Sequence, residues 1–251
     1  MRGVPDVIAR LAPIPDVDFS EYGEVETLPL SKNQQLTGAF LGRNWVTIPH
    51  VTHHDEVDVS DAEERRCRWN KAHPDGRITP VALLVAGIAR ALREHPKFNT
   101  SLGADGTTFV QKHYVNVGVA VDGPKGLLVP VLRSVDRKSL PEIAAELALI
   151  AEKARTKGLS MAEMSGGSMT LSSLGHIGGT AFTPIINAPE VAVLGALAIQ
   201  IRPALAANGD THWRKMLPLS LSYDHRMING ADAARFVKSV GTALADAAIF
   251  E

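Results

Sequence analysis

The stretch that most restricts the fold is "TPVALLVAGIARALREHP", residues 79–96. Thr79 offers an N-cap side chain, Pro80 suits the first helical position, and Pro96 stops the pattern. Between them the helix is apolar nearly all round as far as Arg90, so it has to be buried. A chain carrying it needs layers of structure able to enclose a whole helix. With 251 residues it is long enough, burying about three quarters of its unfolded surface as one large domain or two small ones.

The flanking segments supply candidate layers. Ser31 opens a helical pattern over "SKNQQLTGAFLGRNW". The β-branched "VTIPHVTHHDEVDVS" reads as an extended strand with Pro49 at an edge or bulge, and a short charged helix follows at about 60–72. Three strands are predicted between 107 and 133, in "TTFVQK", "YVNVGVAV" and "GLLVPVL", the last two joined by the turn "DGPKG". "SLPEIAAELALIAEKARTKG" is an amphipathic helix capped by Ser139 and closed by Gly158. "SMTLSSLG" and "EVAVLGALAI" are further strands. "LPLSLSYDHRMINGADAARF" is a strand that runs into a turn before a last helix at about 231–247. Strands and helices interleave without a regular βαβ rhythm, which predicts an α/β (two-layer α+β) domain with a mixed sheet and helices on one side. Residues 1–23 hold three prolines and no periodicity. They read as an extended arm laid against another surface, or the end of a linker, with the core domain spanning 24–251.

Composition narrows the function classes. A net charge of −1 gives no global basic field, so nucleic acid is not an expected partner. Cys67 is the only cysteine, which excludes an intrachain disulfide and CxxC chemistry and fits a reducing compartment. No apolar run reaches the ~18 residues that cross a bilayer, so no membrane partner is expected. "MRGVPDVIARLAP" does not read as a secretory signal.

Among candidate chemical groups His225 stands out, where a strand ends and a helix is about to start. A near-neutral base there suits proton removal from a thiol or hydroxyl. Asp224 and Arg226 are expected to alternate to the other face and lock the local backbone by pairing elsewhere, and Asn229 is placed to bond the imidazole or its surroundings. Ser172 and Ser173 close a strand before a glycine-rich loop. Their hydroxyls are either plain turn groups or donors to an oxyanion. That loop lacks the Lys-Ser/Thr of a P-loop and the dinucleotide spacing, and "LSSLG" is not the G-x-S-x-G elbow of a hydrolase. "HVTHHDE" brings together His50, His53, His54, Asp55 and Glu56, but strand alternation splits them between faces, so no metal site is expected.

Several stretches in order then resemble one family, the catalytic core of the dihydrolipoyl acyltransferases of 2-oxoacid dehydrogenase complexes. "SYDHRMINGADAARF" is similar to its D-H-R-x-x-[DN]-G signature. "GRNWVTIPHVTH", "FNTSL", "VNVGVAVDGPKGLLVPV", "LSSLGHIGG" and "FTPIINAPEVAVLG" also resemble family stretches, and together they cover residues 17–248. Within the family the similarity is greatest to acetyl-transferring members of bacterial pyruvate dehydrogenase.

The resemblance implies transfer of an acetyl group between a dihydrolipoyl-lysine thioester and coenzyme A. His225 would be the general base toward the coenzyme A thiol and Ser172 the oxyanion donor. Asn229 stands where many members carry Asp, Arg226 and Asp224 would be structural supports, and Asp122 and Arg66 would contact coenzyme A. The implied fold is that of chloramphenicol acetyltransferase, whose matching motif has a His-His pair where this chain has Asp224-His225. Implied partners are two further copies in a homotrimer, with the site at the subunit boundary and residues 1–23 clasping a neighbour. Implied too are assembly into a cube or dodecahedron, lipoyl domains, and the 2-oxoacid decarboxylase and dihydrolipoyl dehydrogenase components. The bacterial cytoplasm is the implied location, with the mitochondrial matrix as alternative. No lipoyl-lysine hairpin stands in this sequence, so the lipoyl group would come from a domain outside it. Segment 199–215 departs from the family pattern. An acyltransferase with another acceptor, or a scaffold core that only organises partner enzymes, are the alternative readings.

Overall fold

The structure is a computed structural model that describes residues 14–123, 126–205 and 208–250. Residues 1–13 of the expected arm, and Pro124 and Lys125 of the expected turn, lie outside the described residues.

The described residues build one mixed seven-stranded sheet and a separate two-stranded one. The first helix, α1 (Lys32–Thr47), starts at a capping box between Ser31 and Gln34. It runs into strand β1 (His50–Asp58), then α2 (Ser60–Ala72) and the apolar α3 (Pro80–Glu94). Strands β2 (Thr100–Leu102), β3 (Phe109–Gln111), β4 (Val117–Val119) and β5 (Val131–Leu132) precede α4 (Leu140–Thr156). Strands β6 (Met169–Ser173), β7 (Ala192–Ala196), β8 (Gln200–Leu205) and β9 (Thr211–Asp224) lead to the last helix, α5 (Gly230–Ala245). The large sheet has the order β1-β9-β7-β6-β4-β5, with β8 pairing the outer half of β9. Only β4–β6 and β6–β7 are parallel.

One face of the sheet carries the core. Met169 and Leu171 of β6 and Leu217, Leu219, Leu221 and Tyr223 of β9 alternate onto it and pack with α3, α4 and α5. As the sequence predicts, α3 is enclosed, with every residue from Ala82 to Ala89 buried. Its close approach to α5 needs Gly87, because a Cβ there would sit 2.9 Å from Leu244 Cδ2. Phe98 and Phe236 stack at 4.2 Å and close the far side.

The opposite face is polar. Ser220 and Ser222 of β9 point to it, opposite His54 and Thr52 of β1, and bond them at 2.9 and 2.8 Å. The segment 182–190 covers part of this face: the Phe182 ring lies over Gly195, where a Cβ would be only 2.4 Å from it. Helix α1 stands apart, with Asn44 its only buried residue.

Three expectations need correction. Val46 and Thr47, read as strand, finish α1, and β1 begins only after Pro49, whose missing N–H removes it from the ladder. The strands between 107 and 133 are much shorter than their apolar runs, because Val121 and Leu128 meet in a single bridge instead of continuing β4 and β5. Segment 199–215 supplies β8 and the start of β9: β9 begins at Thr211, well before the expected strand, because β8 supplies a partner from Gln200 to Leu205.

Candidate active site

His225 is placed by the end of β9. Asp224 is the last residue in register, opposite His50, and the His225 backbone N–H donates to Pro49 O at 3.1 Å. The chain then turns, with the amides of Met227 and Ile228 donating to Asp224 O. The imidazole is exposed, 5.9 Å centroid to centroid from the ring of buried Tyr223. A rigid strand end thus presents an accessible base.

The expected alternation of Asp224 and Arg226 stops where the strand stops, so they do not pair elsewhere. They pair with each other: Arg226 Nε and Nη2 donate to Asp224 Oδ1 and Oδ2 at 2.9 and 2.6 Å. The buried carboxylate also accepts the Arg226 amide at 3.0 Å. This fork clamps the backbone on both sides of His225. Asn229 is the N-cap of α5, its side-chain oxygen accepting the Asp232 amide at 2.9 Å. Its exposed side chain keeps an amide donor group free of that bond.

Ser172 is half-buried in β6 on the polar face, in register with Gly195, which in turn is opposite Ser220. His225 lies five residues beyond Ser220 and two strands away, so within one chain the two side chains are roughly 19 Å apart. Asp122, by contrast, is exposed just past β4 in the lane beside β6, roughly 8 Å from Ser172 along the same register. One chain therefore presents these residues as two separate groups: His225 and Asn229 at one end of the sheet, Ser172 and Asp122 at the other. Arg66 joins neither. Its Nε and Nη2 grip Glu63 at 2.8 Å each and Nη1 donates to Ile78 O, with the Glu63 bond raising the guanidinium pKa.

A buried ionisable group escaped sequence reasoning. Glu190 precedes β7, accepts the Thr170 hydroxyl at 2.7 Å, and packs against Gly167. Burial pushes its carboxyl up to about 7, against the Thr170 bond and the charge of Lys112. Lys112 is itself buried, with Nζ donating to Thr100 O and Gly167 O, and burial lowers its pKa. Nothing in the local sequence marks these residues, because only the tertiary fold removes them from water. Among the described residues no cluster of three or more metal-ligating side chains occurs. In "HVTHHDE" His50 and His54 hydrogen-bond within the fold, and His53 approaches only Asp55, at 3.9 Å.

Comparison with known proteins connects the chain to a family. The profile of the 2-oxoacid dehydrogenases acyltransferase (catalytic domain) matches residues 22–249. The chain belongs to this family. The dihydrolipoyllysine-residue acetyltransferase components of pyruvate dehydrogenase complex from Pseudomonas aeruginosa and Haemophilus influenzae are 50% and 46% identical to it over 95% and 94% of its length. The chain spans 44% and 42% of those relatives. A crystallographic and enzymatic study of Azotobacter vinelandii dihydrolipoamide acetyltransferase, concerned with the catalytic role of a serine, a histidine and an asparagine, superposes with a TM-score of 0.92. It is 48% identical, covering 96% of this chain and all of that one. The cubic core of the pyruvate dehydrogenase multienzyme complex gives 0.91 at the same identity and coverage. A chloramphenicol acetyltransferase shares the fold, at 0.59 and 19% identity over 81% of this chain. Among the described residues no helix is long and apolar enough to cross a membrane.

Proposed function

We propose that the chain is the core of a dihydrolipoyllysine-residue acetyltransferase, passing acetyl between a dihydrolipoyl thiol and coenzyme A in a bacterial pyruvate dehydrogenase complex. The observation that carries the reading is the family's histidine motif at the rigid end of β9, together with a strand serine too far away to serve the same histidine within one chain. In the Azotobacter vinelandii enzyme the histidine and asparagine under study stand four residues apart, as His225 and Asn229 do.

In the proposed mechanism the His225 imidazole takes the proton of the coenzyme A thiol, whose pKa of about 8.5 lies within reach of a near-neutral base. The thiolate attacks the acetyl carbonyl of the S-acetyl dihydrolipoyl group, and the Ser172 hydroxyl of a neighbouring copy donates to the resulting oxyanion. Collapse breaks the bond to the dihydrolipoyl sulfur, which regains its proton from the imidazolium. Asn229 supports the base as a neutral neighbour, and Asp122 contacts coenzyme A beside Ser172. The internal bonds of Arg66 to Glu63 and Ile78 give it a structural part rather than a direct contact with coenzyme A.

A homotrimer brings His225 of one copy to Ser172 of the next. Residues 14–46 support this assembly, since Ile14, Phe19, Tyr22, Leu28, Leu36 and Trp45 are all more than half exposed in the single chain. Apolar side chains in that number need a partner surface. Cubic assembly, docking of lipoyl domains, and association with the decarboxylase and dihydrolipoyl dehydrogenase are the wider role proposed in the bacterial cytoplasm.

The test is acetyl transfer from acetyl-coenzyme A to free dihydrolipoamide by the native protein. Turnover is expected, and its absence from an intact oligomer would leave the scaffold core or an acyltransferase with another acceptor. Sedimentation is expected to give a particle larger than a trimer of roughly 80 kDa. A trimer alone would remove the cubic assembly from the proposal.

A further inference from the structure

His225 owes its position to a carbonyl just ahead of β1, and that carbonyl is held by a side chain with no part in the proposed chemistry. The His225 N–H reaches Pro49 O, in the two-residue link, Ile48 and Pro49, that carries α1 into β1. His50 braces this link from both sides. Its Nδ1 lies 2.8 Å from Ile48 O, an acceptor only, so Nδ1 carries the proton. Its Nε2 accepts the Ile186 amide at 3.0 Å. The two partners dictate one neutral tautomer, with no nitrogen left over.

Ile186 is fully buried, packing with Ile48 and Val193 on the polar side of the sheet. Its carbonyl accepts from Asn44 Nδ2 at 2.9 Å, the one buried side chain of α1. Both backbone groups of Ile186 are therefore held by side chains, one from α1 and one from the start of β1. Because Ile48 belongs to this cluster and its carbonyl to His50, the Pro49 carbonyl between them has little freedom to swing. Rotation there would withdraw the acceptor from His225 and let the strand end fray by one residue.

We propose that His50 is a positioning residue for His225: through Ile48 and Ile186 it aims the Pro49 carbonyl at the His225 amide and holds the base at the end of β9. The kinetic part of this proposal rests on the transfer reaction above; the structural part does not. A displacement of about 1 Å in a catalytic group costs on the order of 10²-fold in rate, so a partial loosening is expected to cost about tenfold.

The experiment uses the assembled protein with His50→Phe and His50→Gln, and reads two quantities. The first is the exchange rate of the His225 amide hydrogen; the second is kcat and KM for acetyl transfer. Phe fills the ring volume beside Trp45 but makes neither hydrogen bond. It is expected to speed His225 amide exchange about tenfold and lower kcat about tenfold, with both KM values within about twofold of native. Gln restores an acceptor for the Ile186 amide and is expected to recover most of both losses. Native exchange and native kcat in His50→Phe would overturn the proposal, as would a kcat loss accompanied by raised KM or a broken oligomer. If the native protein shows no turnover, the transfer reading fails by itself, and amide exchange alone decides whether His50 holds the strand end.

Discussion

Replacing His225 by alanine is expected to lower acetyl transfer by about 10²–10⁴-fold, the range a positioned general base supplies. Ser172→Ala, removing one oxyanion donor, is expected to lower it by about 10²–10³-fold. Neither substitution disturbs the core, since His225 is exposed and Ser172 lies on the polar face of β6. The decisive result comes from combining them. Within one chain the two residues lie at opposite ends of the sheet, and in the proposed cyclic trimer each site is made from two different copies. Coexpression of the two inactive variants in equal amounts should therefore return about a quarter of native activity, because one site in four receives an intact histidine and an intact serine. Mixed oligomers that stay as inactive as the separate variants would show that His225 and Ser172 do not act in one shared site.

The parts of this architecture legible in the sequence are those set by local chemistry. Thr79 and Pro80 start α3 and Ser139 with Glu142 starts α4 where the capping patterns place them. The apolar alternation of Leu217, Leu219 and Leu221 identifies the strand that delivers His225. Pairing partners were not legible. The three residues of β2 and the six of β8 hold their conformation only because β3 and β9 lie beside them. The mutual grip of Asp224 and Arg226 depended on where β9 gives way to a turn, which alternation alone does not mark. The distance between Ser172 and His225 is likewise a property of strand order, which puts β7 between β6 and β9. Glu190 is the clearest case: a glutamate after proline looks like a surface turn until the fold closes over it.

That burial makes Glu190 the source of a pH-dependent loss of stability. Its carboxyl has a pKa near 4.5 when unfolded and about 7 when folded. Below 4.5 both states hold the proton and the group is neutral in the balance. As pH rises from 4.5 to 7 the unfolded chain releases the proton while the folded chain retains it, so stability falls; above 7 the deficit stays constant. The gap corresponds to about 3 kcal/mol, the net of burial against the Thr170 bond and the attraction to Lys112. Glu190→Gln keeps an oxygen to accept from Thr170 and cannot ionise. Denaturant unfolding at one fixed protomer concentration should therefore find the variant's stability relative to native climbing between pH 5 and pH 8, by about 3 kcal/mol at most. A difference that does not change with pH would mean that Glu190 already ionises in the folded chain as it does in the unfolded one. The Lys112 charge would then have to cancel the cost of burying it.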